Sequence, residues 1–549
     1  MSFWCVLLLL VDLGGWHGVY VAGGSNRGIR MNDRLASCWL ALVLLALLFA
    51  PGRAVGQQSC EALTSVKIPN ATITSATAAH PPPDLVIPLP ASPIGPASHL
   101  TVSVPFCRVI AFSAPTSDSH IGFEVWLPVA DSWNGKFQAV GNGGFIGQIS
   151  YTALATGLEH GYATAGTDTG HTSGNDESWA LGHPEKLVDW SYRAVHEMTV
   201  DSKIIIEAFY GKPAKLSYWN GCSTGGKQGL TEAQRYPSDF DGIVAGAPAN
   251  YITHLQAGSV YNSWIALKDG PAAAPYIPAA KLPALHKAAL RACDSRDGVA
   301  DGVIEDPKRC PFDPKMIECS GAEGPDCLTA AQVETAKLIY AGAKYRDGKP
   351  IFPGFEPGSE LGWSAMIAGP APISIGTGFF KYMVFGDPAW DFRTFQVDRG
   401  TRIADQKLGS IVNAIDPNLK DFEQHGGKVI MYHGWEDSSI PPGNSVNYRD
   451  SVVAKMGGAQ KTQGFLRLFM VPGMGHCRGG PGPNTFDALS ALEQWREQNV
   501  APEKMIATHA TNKTVDNSRP LCPYPQAATY KGSGSTTDAA NFSCGSPNW

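Results

Sequence analysis

The pentapeptide Gly221-Cys222-Ser223-Thr224-Gly225 stands between an apolar, strand-like run at 215–220 and a helix-like pattern that starts at Gly226. In this setting G-x-S-x-G is typical of a sharp strand-to-helix turn, because glycines admit the strained backbone and the close packing that the turn requires. Such a turn lifts a serine hydroxyl clear of the sheet, which makes Ser223 a candidate nucleophile. The alternative is a glycine-rich loop without chemistry, since the chain has 60 glycines among 549 residues.

The same strand–helix rhythm extends to both sides of this turn. Strands are predicted at 122–127, 136–140, 162–166, 215–220, 242–245, 428–432 and 465–471, and helices at 185–209, from 226, at 445–456 and at 488–498. This alternation predicts an α/β fold with a mostly parallel sheet covered by helices. Between about 250 and 424 a segment rich in Pro, Gly, Ala and aromatic residues interrupts the rhythm. We therefore expect one core, 57–250 and 425–549, with an inserted domain at 251–424.

The start of the chain is typical of an export signal. Residues 39–50 form a twelve-residue apolar run, and small residues follow at 54–56. The run is too short to span a bilayer, so we expect residues 1–56 to be a leader with Met31 as the true start. The prediction is a secreted or periplasmic protein. Residues 57–100 are rich in Pro and Ser and are expected to form an extended surface arm.

Composition excludes several classes of protein. Hydrophobic residues make up 44% of the chain and charged residues 17%, which excludes a disordered protein. The net charge is −6 and there is no basic stripe, so nucleic acid and anionic membranes are not expected as partners. Removal of the leader takes away Cys5 and Cys38 and leaves ten of the 12 cysteines. An even number in an exported chain implies a disulfide framework, here of five bridges.

Two later loops can supply the partners of a nucleophilic serine. Asp437 follows the predicted strand at 428–432, and His476 follows the next one. The carboxyl ends of parallel strands are where an α/β sheet places its active site, and the order Ser, Asp, His fits this fold. We expect Ser223 to attack, His476 to act as general base and Asp437 to orient the imidazole. Glu436 is the alternative acid, and His433 is interpreted as a loop-packing residue.

Two cysteines adjoin these predicted catalytic residues. Cys222 precedes Ser223 and Cys477 follows His476. If the serine and the histidine are in contact, their neighbours can lie within disulfide reach, with Cα atoms about 4.4–6.8 Å apart. We predict a Cys222–Cys477 bridge that holds base and nucleophile together, and two unrelated buried cysteines are the alternative.

The combination of Cys-Ser, a distant Asp and His-Cys resembles the tannase/feruloyl esterase family of serine carboxylesterases. That family includes the bacterial hydrolase of mono(hydroxyethyl) terephthalate. The segments that carry the resemblance are 221–226, 241–248, 432–437, 471–482 and 519–532. The resemblance implies an α/β-hydrolase core, a lid formed by the insert and no organic cofactor. Together with proximity in the sequence, it assigns the remaining disulfides as Cys60–Cys107, Cys293–Cys310, Cys319–Cys327 and Cys522–Cys544.

The oxyanion hole of such an enzyme is built from backbone N–H groups. One comes from the residue after the nucleophile, here Thr224, and the other from the loop after an early strand. The run at 141–144 fits the second position, and the family resemblance favours Gly144 within it. An ordinary glycine turn is the alternative.

Acidic residues cluster at Asp294, Asp297 and Asp301, a density of hard oxygen ligands that suits Ca²⁺. An EF-hand is excluded, because Val299 stands where its glycine is required. The family resemblance instead implies a structural calcium loop with these three side chains and the carbonyls of Val299 and Val303 as ligands. A solvated acidic turn is the alternative. The flanking Cys293–Cys310 bridge is expected to clamp the loop.

The predicted function is a secreted serine carboxylesterase that hydrolyses esters of aromatic acids, of feruloyl (hydroxycinnamoyl) or galloyl type, through an acyl-enzyme. The partner is a small-molecule or plant-polymer aromatic ester. One alternative is a hydrolase of mono(hydroxyethyl) terephthalate, although Thr224 stands where that branch has an acidic residue. The other is a calcium-dependent secreted binding protein with an inactive hydrolase core. The aromatic stretch at 379–385, with Trp390, is interpreted as lid core in preference to an acyl-site lining.

Overall fold

The computed structural model describes residues 58–80, 86–89, 98–174, 176–367 and 369–547. All of them belong to the unit Val55–Trp549. The predicted leader at 1–56 and the predicted start at Met31 lie outside the described residues.

The strands alternate with helices along both halves of the core. In chain order the strands are β1 (Ala71–Ala79), β2 (Val86–Leu89), β3 (Ser98–Thr101), β4 (Phe106–Ser113), β5 (Ile121–Pro128), β6 (Lys136–Val140), β7 (Ala163–Thr167), β8 (Leu216–Cys222), β9 (Gly242–Gly246), β10 (Lys428–Gly434), β11 (Leu466–Val471), β12 (Met505–Thr511), β13 (Thr514–Leu521), β14 (Ala527–Tyr530) and β15 (Phe542–Gly545). The α-helices are α1 (Tyr151–Glu159), α2 (Pro184–Val188), α3 (Ala194–Tyr210), α4 (Thr224–Arg235), α5 (Ile252–Leu267), α6 (Leu282–Cys293), α7 (Ala330–Ala341), α8 (Trp363–Met366), α9 (Ser374–Gly378), α10 (Val397–Val412), α11 (Lys420–Gln424), α12 (Gly443–Lys455), α13 (Ala459–Thr462) and α14 (Ala488–Gln498).

The central sheet has nine strands in the order β1-β4-β5-β7-β6-β8-β9-β10-β11. The six strands from β7 to β11 in this order are parallel, and β5, β4 and β1 extend one edge in antiparallel pairing. The residues of β7 and β9 are buried throughout, as expected for parallel strands with both faces covered. The predicted mostly parallel sheet is confirmed.

The predicted helix at 185–209 is interrupted in the structure. Between α2 and α3 the chain forms a wider π-helical turn, Asp189–Arg193. Within this turn the guanidinium of Arg193 donates from Nε to Oδ1 of the buried Asp189, over 2.5 Å. The apolar periodicity at 185–209 does not reveal this ion pair, so the sequence pattern predicts a single uninterrupted helix.

The surface-arm prediction for 57–100 is wrong for the part that forms β1. This strand pairs with β4 from Ala71 opposite Ser113 to Ala79 opposite Phe106, with one register shift. Its side chains Ile73 and Ala76 are buried in the core. A strand of small residues and threonines at a sheet edge buries few apolar side chains, so its hydrophobic signal is weak.

The chain between β9 and β10 holds α5 to α11, and its described residues contribute no strand to the central sheet. Most of its buried apolar side chains form a cluster of their own, while Ala414, Leu419 and Phe422 pack into the core around the sheet. Phe145 and Trp190, which precede β8, also belong to this cluster. In the aromatic stretch at 379–385, Phe379 and Phe380 are fully buried, which agrees with the interpretation as lid core.

Candidate active site

Ser223 occupies a sharp turn between β8 and α4. Its backbone has φ 63°, in a left-handed region that residues other than glycine rarely adopt. The neighbouring glycines make this turn possible. A Cβ atom on Gly221 would lie 2.6 Å from the carbonyl oxygen of Gly225, and one on Gly226 would lie 2.3 Å from the carbonyl oxygen of Gly246. The turn is therefore a strained strand–helix elbow that requires glycine on both sides of the serine.

The structure brings the three predicted catalytic side chains together. Nε2 of His476 lies 2.9 Å from Oγ of Ser223, and Nδ1 of the same ring lies 2.7 Å from Oδ2 of Asp437. Because the carboxylate can only accept, Nδ1 carries the proton and Nε2 is free to accept from the serine hydroxyl. This is the tautomer that a general base needs.

Asp437 is fully buried and held in an ionised state. Its Oδ1 accepts from the N–H groups of Ser439 (2.7 Å) and Ile440 (2.9 Å). Burial alone would raise the pKa of Asp437, but the adjacent imidazole of His476 and hydrogen bonds from His433 and His476 hold it well below its usual range. Burial lowers the pKa of His476, but the charge of Asp437 outweighs it and leaves that pKa above its ordinary value.

The alternative acid, Glu436, does not contact the catalytic histidine, and His433 lies beside Asp437. The side chain of Glu436 lies against Gly358 of the insert, and burial, aided by Glu360, raises its pKa to about 8. His433 is fully buried, and its Nε2 lies 3.1 Å from Oδ2 of Asp437. The loop-packing interpretation of His433 thus omits its contact with the acid, which only the fold reveals.

The structure contains the five disulfides expected from the sequence. They are Cys60–Cys107, Cys222–Cys477, Cys293–Cys310, Cys319–Cys327 and Cys522–Cys544. The Cα atoms of Cys222 and Cys477 are 6.0 Å apart, across 255 positions of sequence. This bridge joins the residue before the candidate nucleophile to the residue after the candidate base.

The two residues predicted for the oxyanion hole are neighbours. Thr224 is the first residue of α4, and its Oγ1 donates to the carbonyl oxygen of Gly144 over 2.9 Å. Gly144 has φ 53°, a left-handed conformation that favours glycine. Sequence reasoning missed Gln228, whose Oε1 accepts from the N–H of Asn142 and so ties this loop to the second turn of α4. No spacing in the sequence indicates that contact.

The predicted calcium loop follows α6 directly. Oδ1 of Asp294 accepts from the N–H of Asp301, and Oδ1 of Asp297 accepts from the N–H of Val299. Asp301 also pairs with the guanidinium of Arg519. A small cavity beside the loop is lined by Asp297, Asp301, Val303, Glu305, Pro472, Pro483, Arg519 and Leu521. Asp297 and Asp301 therefore line this cavity with Glu305, which sequence reasoning did not assign, whereas the predicted ligand Asp294 is not among the lining residues.

The serine lies on a strand–helix elbow, and the histidine and the buried aspartate follow the ends of parallel strands. This arrangement is typical of a serine hydrolase with the α/β-hydrolase fold. Residues 107–545 match the family described as tannase and feruloyl esterase. The chain belongs to this family and is a carboxylic ester hydrolase.

Similar proteins agree with this assignment. An uncharacterized esterase of Xanthomonas campestris is 39% identical, over 91% of this chain and 94% of its own. A protein of Aspergillus fumigatus named probable feruloyl esterase B-1 is 35% identical, over 82% of this chain and 88% of its own. The crystal structure of feruloyl esterase B from Aspergillus oryzae superposes with a TM-score of 0.82 at 31% identity, covering 88% of this chain and 100% of the other.

Proposed function

We propose that the protein is a secreted serine esterase that cleaves esters of aromatic carboxylic acids, of feruloyl or galloyl type, through an acyl-enzyme. The observation that carries this proposal is the continuous hydrogen-bond chain from Ser223 through His476 to Asp437. An intact chain of this kind also argues against an inactive hydrolase core that only binds ligands.

The proposed reaction has two halves. Nε2 of His476 takes the hydroxyl proton while Oγ of Ser223 bonds to the ester carbonyl carbon, and the N–H groups of Thr224 and Gly144 stabilise the oxyanion. The bond to the alcohol oxygen then breaks, and the imidazolium returns the proton to that oxygen. In the second half water attacks the acyl-enzyme with the same base, releases the acid and restores the serine.

An aromatic acyl group is supported by the family and by the relatives that are named feruloyl esterases. Export is supported by the five disulfides and by the apolar run at 39–50. Within the described ranges, no helix has the length and apolar character needed to cross a membrane.

The test compares methyl ferulate, methyl gallate and mono(hydroxyethyl) terephthalate, with p-nitrophenyl acetate as a general esterase substrate and Ser223→Ala as the matched control. We expect the highest kcat/KM for ferulate or gallate and no turnover by the variant. If only p-nitrophenyl acetate is cleaved, the protein is an esterase but the proposed substrate class is wrong. A preference for the terephthalate ester would favour the alternative branch.

We also propose that a structural Ca²⁺ ion binds the loop at 294–303. The side chains of Asp294, Asp297 and Asp301, with the carbonyls of Val299 and Val303, would hold it. Two of these side chains, Asp297 and Asp301, line one cavity together with Glu305, and hard carboxylate oxygens of this kind suit Ca²⁺. Burial raises the pKa of Asp297 to about 6 and that of Glu305 to about 8, and a bound cation would favour the ionised forms. The ion would order the loop and take no part in ester cleavage.

A further inference from the structure

A second group of metal-ligating side chains lies on the flank of the nucleophile helix α4. His196 of α3, Glu232 of α4 and Asp239 of the loop before β9 offer ligand atoms that all lie within 4.8 Å of one another. Glu232 is two turns along α4 from the catalytic elbow, about 12 Å from Thr224 at 1.5 Å per residue. The group is therefore separate from the triad, and it shares no residue with the loop at 294–303.

Glu232 carries the argument for a ligand. Its side chain is 1% exposed, and neither Oε1 nor Oε2 accepts a hydrogen bond from a described residue while both nearby carboxylates are ionised. In the part of the chain that the structure describes, a proton shared with the carboxylate of Asp239 is the one partner within reach. A buried carboxylate without a partner is costly unless it is neutralised or binds a cation. Burial and the nearby Asp239 also raise the pKa of Glu232 well above its ordinary value.

The neighbouring ammonium groups are directed elsewhere. Nζ of Lys203 donates to the backbone carbonyl of Asp239 over 2.6 Å, and Nζ of Lys227 donates to the carbonyl of Ser191. Burial lowers the pKa of both lysines, that of Lys227 to about 7. Neither ammonium group forms a hydrogen-bonded ion pair with the carboxylate of Glu232.

The other two ligands are placed for binding. Nδ1 of His196 lies 2.7 Å from Oδ2 of Asp239, and the imidazole stacks on the ring of Tyr236 with centroids 3.8 Å apart. The side chain of His196 is 29% exposed and that of Asp239 is 9% exposed, so an ion can reach the site past the histidine. Stacking fixes the plane of the ring.

We propose that His196, Glu232 and Asp239 form a binding site for a divalent transition-metal ion of the Zn²⁺ class. One imidazole and two carboxylates suit such an ion better than Ca²⁺ or Mg²⁺, which prefer all-oxygen sites. Ligand bonds of about 2.0–2.2 Å put two ligands of a tetrahedral ion about 3.3–3.6 Å apart. The ligand atoms, now within 4.8 Å of one another, would therefore move inward, and the 2.7 Å contact between His196 and Asp239 would open to admit the ion. The ion would fasten α4 to α3 and to the loop that leads into β9.

The test titrates Zn²⁺ into the metal-stripped full chain by calorimetry, with Ca²⁺ kept in excess. Co²⁺ serves as the spectroscopic probe of a site with a nitrogen ligand. We expect one high-affinity Zn²⁺ per chain and a higher Tm on binding. Substitutions that only disturb the orientation of metal ligands cost 10–100-fold in affinity, so loss of a ligand in His196→Ala or Glu232→Gln should cost at least about 100-fold. His425→Ala removes an exposed histidine elsewhere and should bind like wild type.

Equal Zn²⁺ affinity in wild type, His196→Ala and Glu232→Gln would overturn the proposal. So would an infrared band of a protonated carboxylic acid that persists in zinc-saturated wild type and is absent from Glu232→Gln. That band would mean that Glu232 and Asp239 share a proton in place of a metal. His196 is partly exposed, so its variant should fold even if the buried Glu232 variant does not.

Discussion

Removal of the Cys222–Cys477 bridge should slow catalysis in a protein that remains folded. The bridge joins the two residues adjacent to Ser223 and His476, whose reacting atoms are 2.9 Å apart. Misplacement by about 1 Å can cost on the order of 10²-fold in rate. Because His476 is also held by Asp437, we expect only part of this loss, a fall in kcat of at least about tenfold for the Cys222→Ser/Cys477→Ser double variant.

The same substitution also lowers stability, so the assay must separate the two effects. The chain-entropy treatment gives about 5.5 kcal/mol for a bridge that closes a loop of 255 residues. That is a large part of the roughly 5–15 kcal/mol that usually stabilises a folded protein. We would therefore measure kcat at a low temperature where circular dichroism shows the native state.

The matched control is Cys319→Ser/Cys327→Ser, which removes a bridge spanning 8 positions within the insert. The same treatment gives about 2.5 kcal/mol for it, and no catalytic residue is adjacent. We expect its kcat to stay near that of wild type at equal foldedness. If the variant at 222 and 477 is folded and keeps the wild-type kcat, the bridge stabilises the fold without positioning the catalytic groups.

Three further predictions concern the triad and the acidic loop. Ser223→Ala and His476→Ala should each abolish steady-state ester hydrolysis, and the double variant should lose little more, because residues that act as one unit are not additive; an active His476→Ala enzyme would refute the triad. His476 must be neutral to act as the base, and Asp437 raises its pKa. We therefore expect kcat/KM to fall as the pH drops through a value above about 6.5. A fall that occurs only below this value would contradict the assigned coupling. Chelation of Ca²⁺ should lower the Tm measured by scanning calorimetry, and Asp297→Asn should remove this dependence; an unchanged Tm with no calcium found by metal analysis would remove the site.

Sequence reasoning succeeds here where chemistry restricts the residue type. Glycine is required at positions 221 and 226 because a Cβ atom there would lie 2.3–2.6 Å from a carbonyl oxygen. The residue types around Ser223 therefore indicate the elbow in the sequence. The order of Ser223, Asp437 and His476 relative to the strands likewise follows from the fold class. The first feature depends on local sequence and the second on the order of elements along the chain, and a single sequence is enough to predict both.

Contacts that depend on the folded path of the chain could not be predicted in this way. Gln228 reaches the N–H of Asn142, 86 positions away, only after the sheet has assembled. His433 lies four positions before Asp437, but the contact between their side chains depends on the conformation of the loop after β10. The strand β1 was missed for a related reason, since its nine residues bury little and carry no strong pattern. Nothing in the helical pattern around Glu232 marks it as a candidate ligand. Only its burial and its lack of hydrogen-bond donors among the described residues do so.

The position of the insert has a consequence for the order in which the protein folds. β9 and β10 are adjacent and parallel, with Gly242 opposite Lys428, yet the chain from 247 to 427 separates them. When β9 emerges during synthesis it has no neighbour on that side, and an unpaired strand edge invites association with other chains. Pairing across so long a separation is intrinsically slow. The insert therefore delays the pairing that covers this edge of β9.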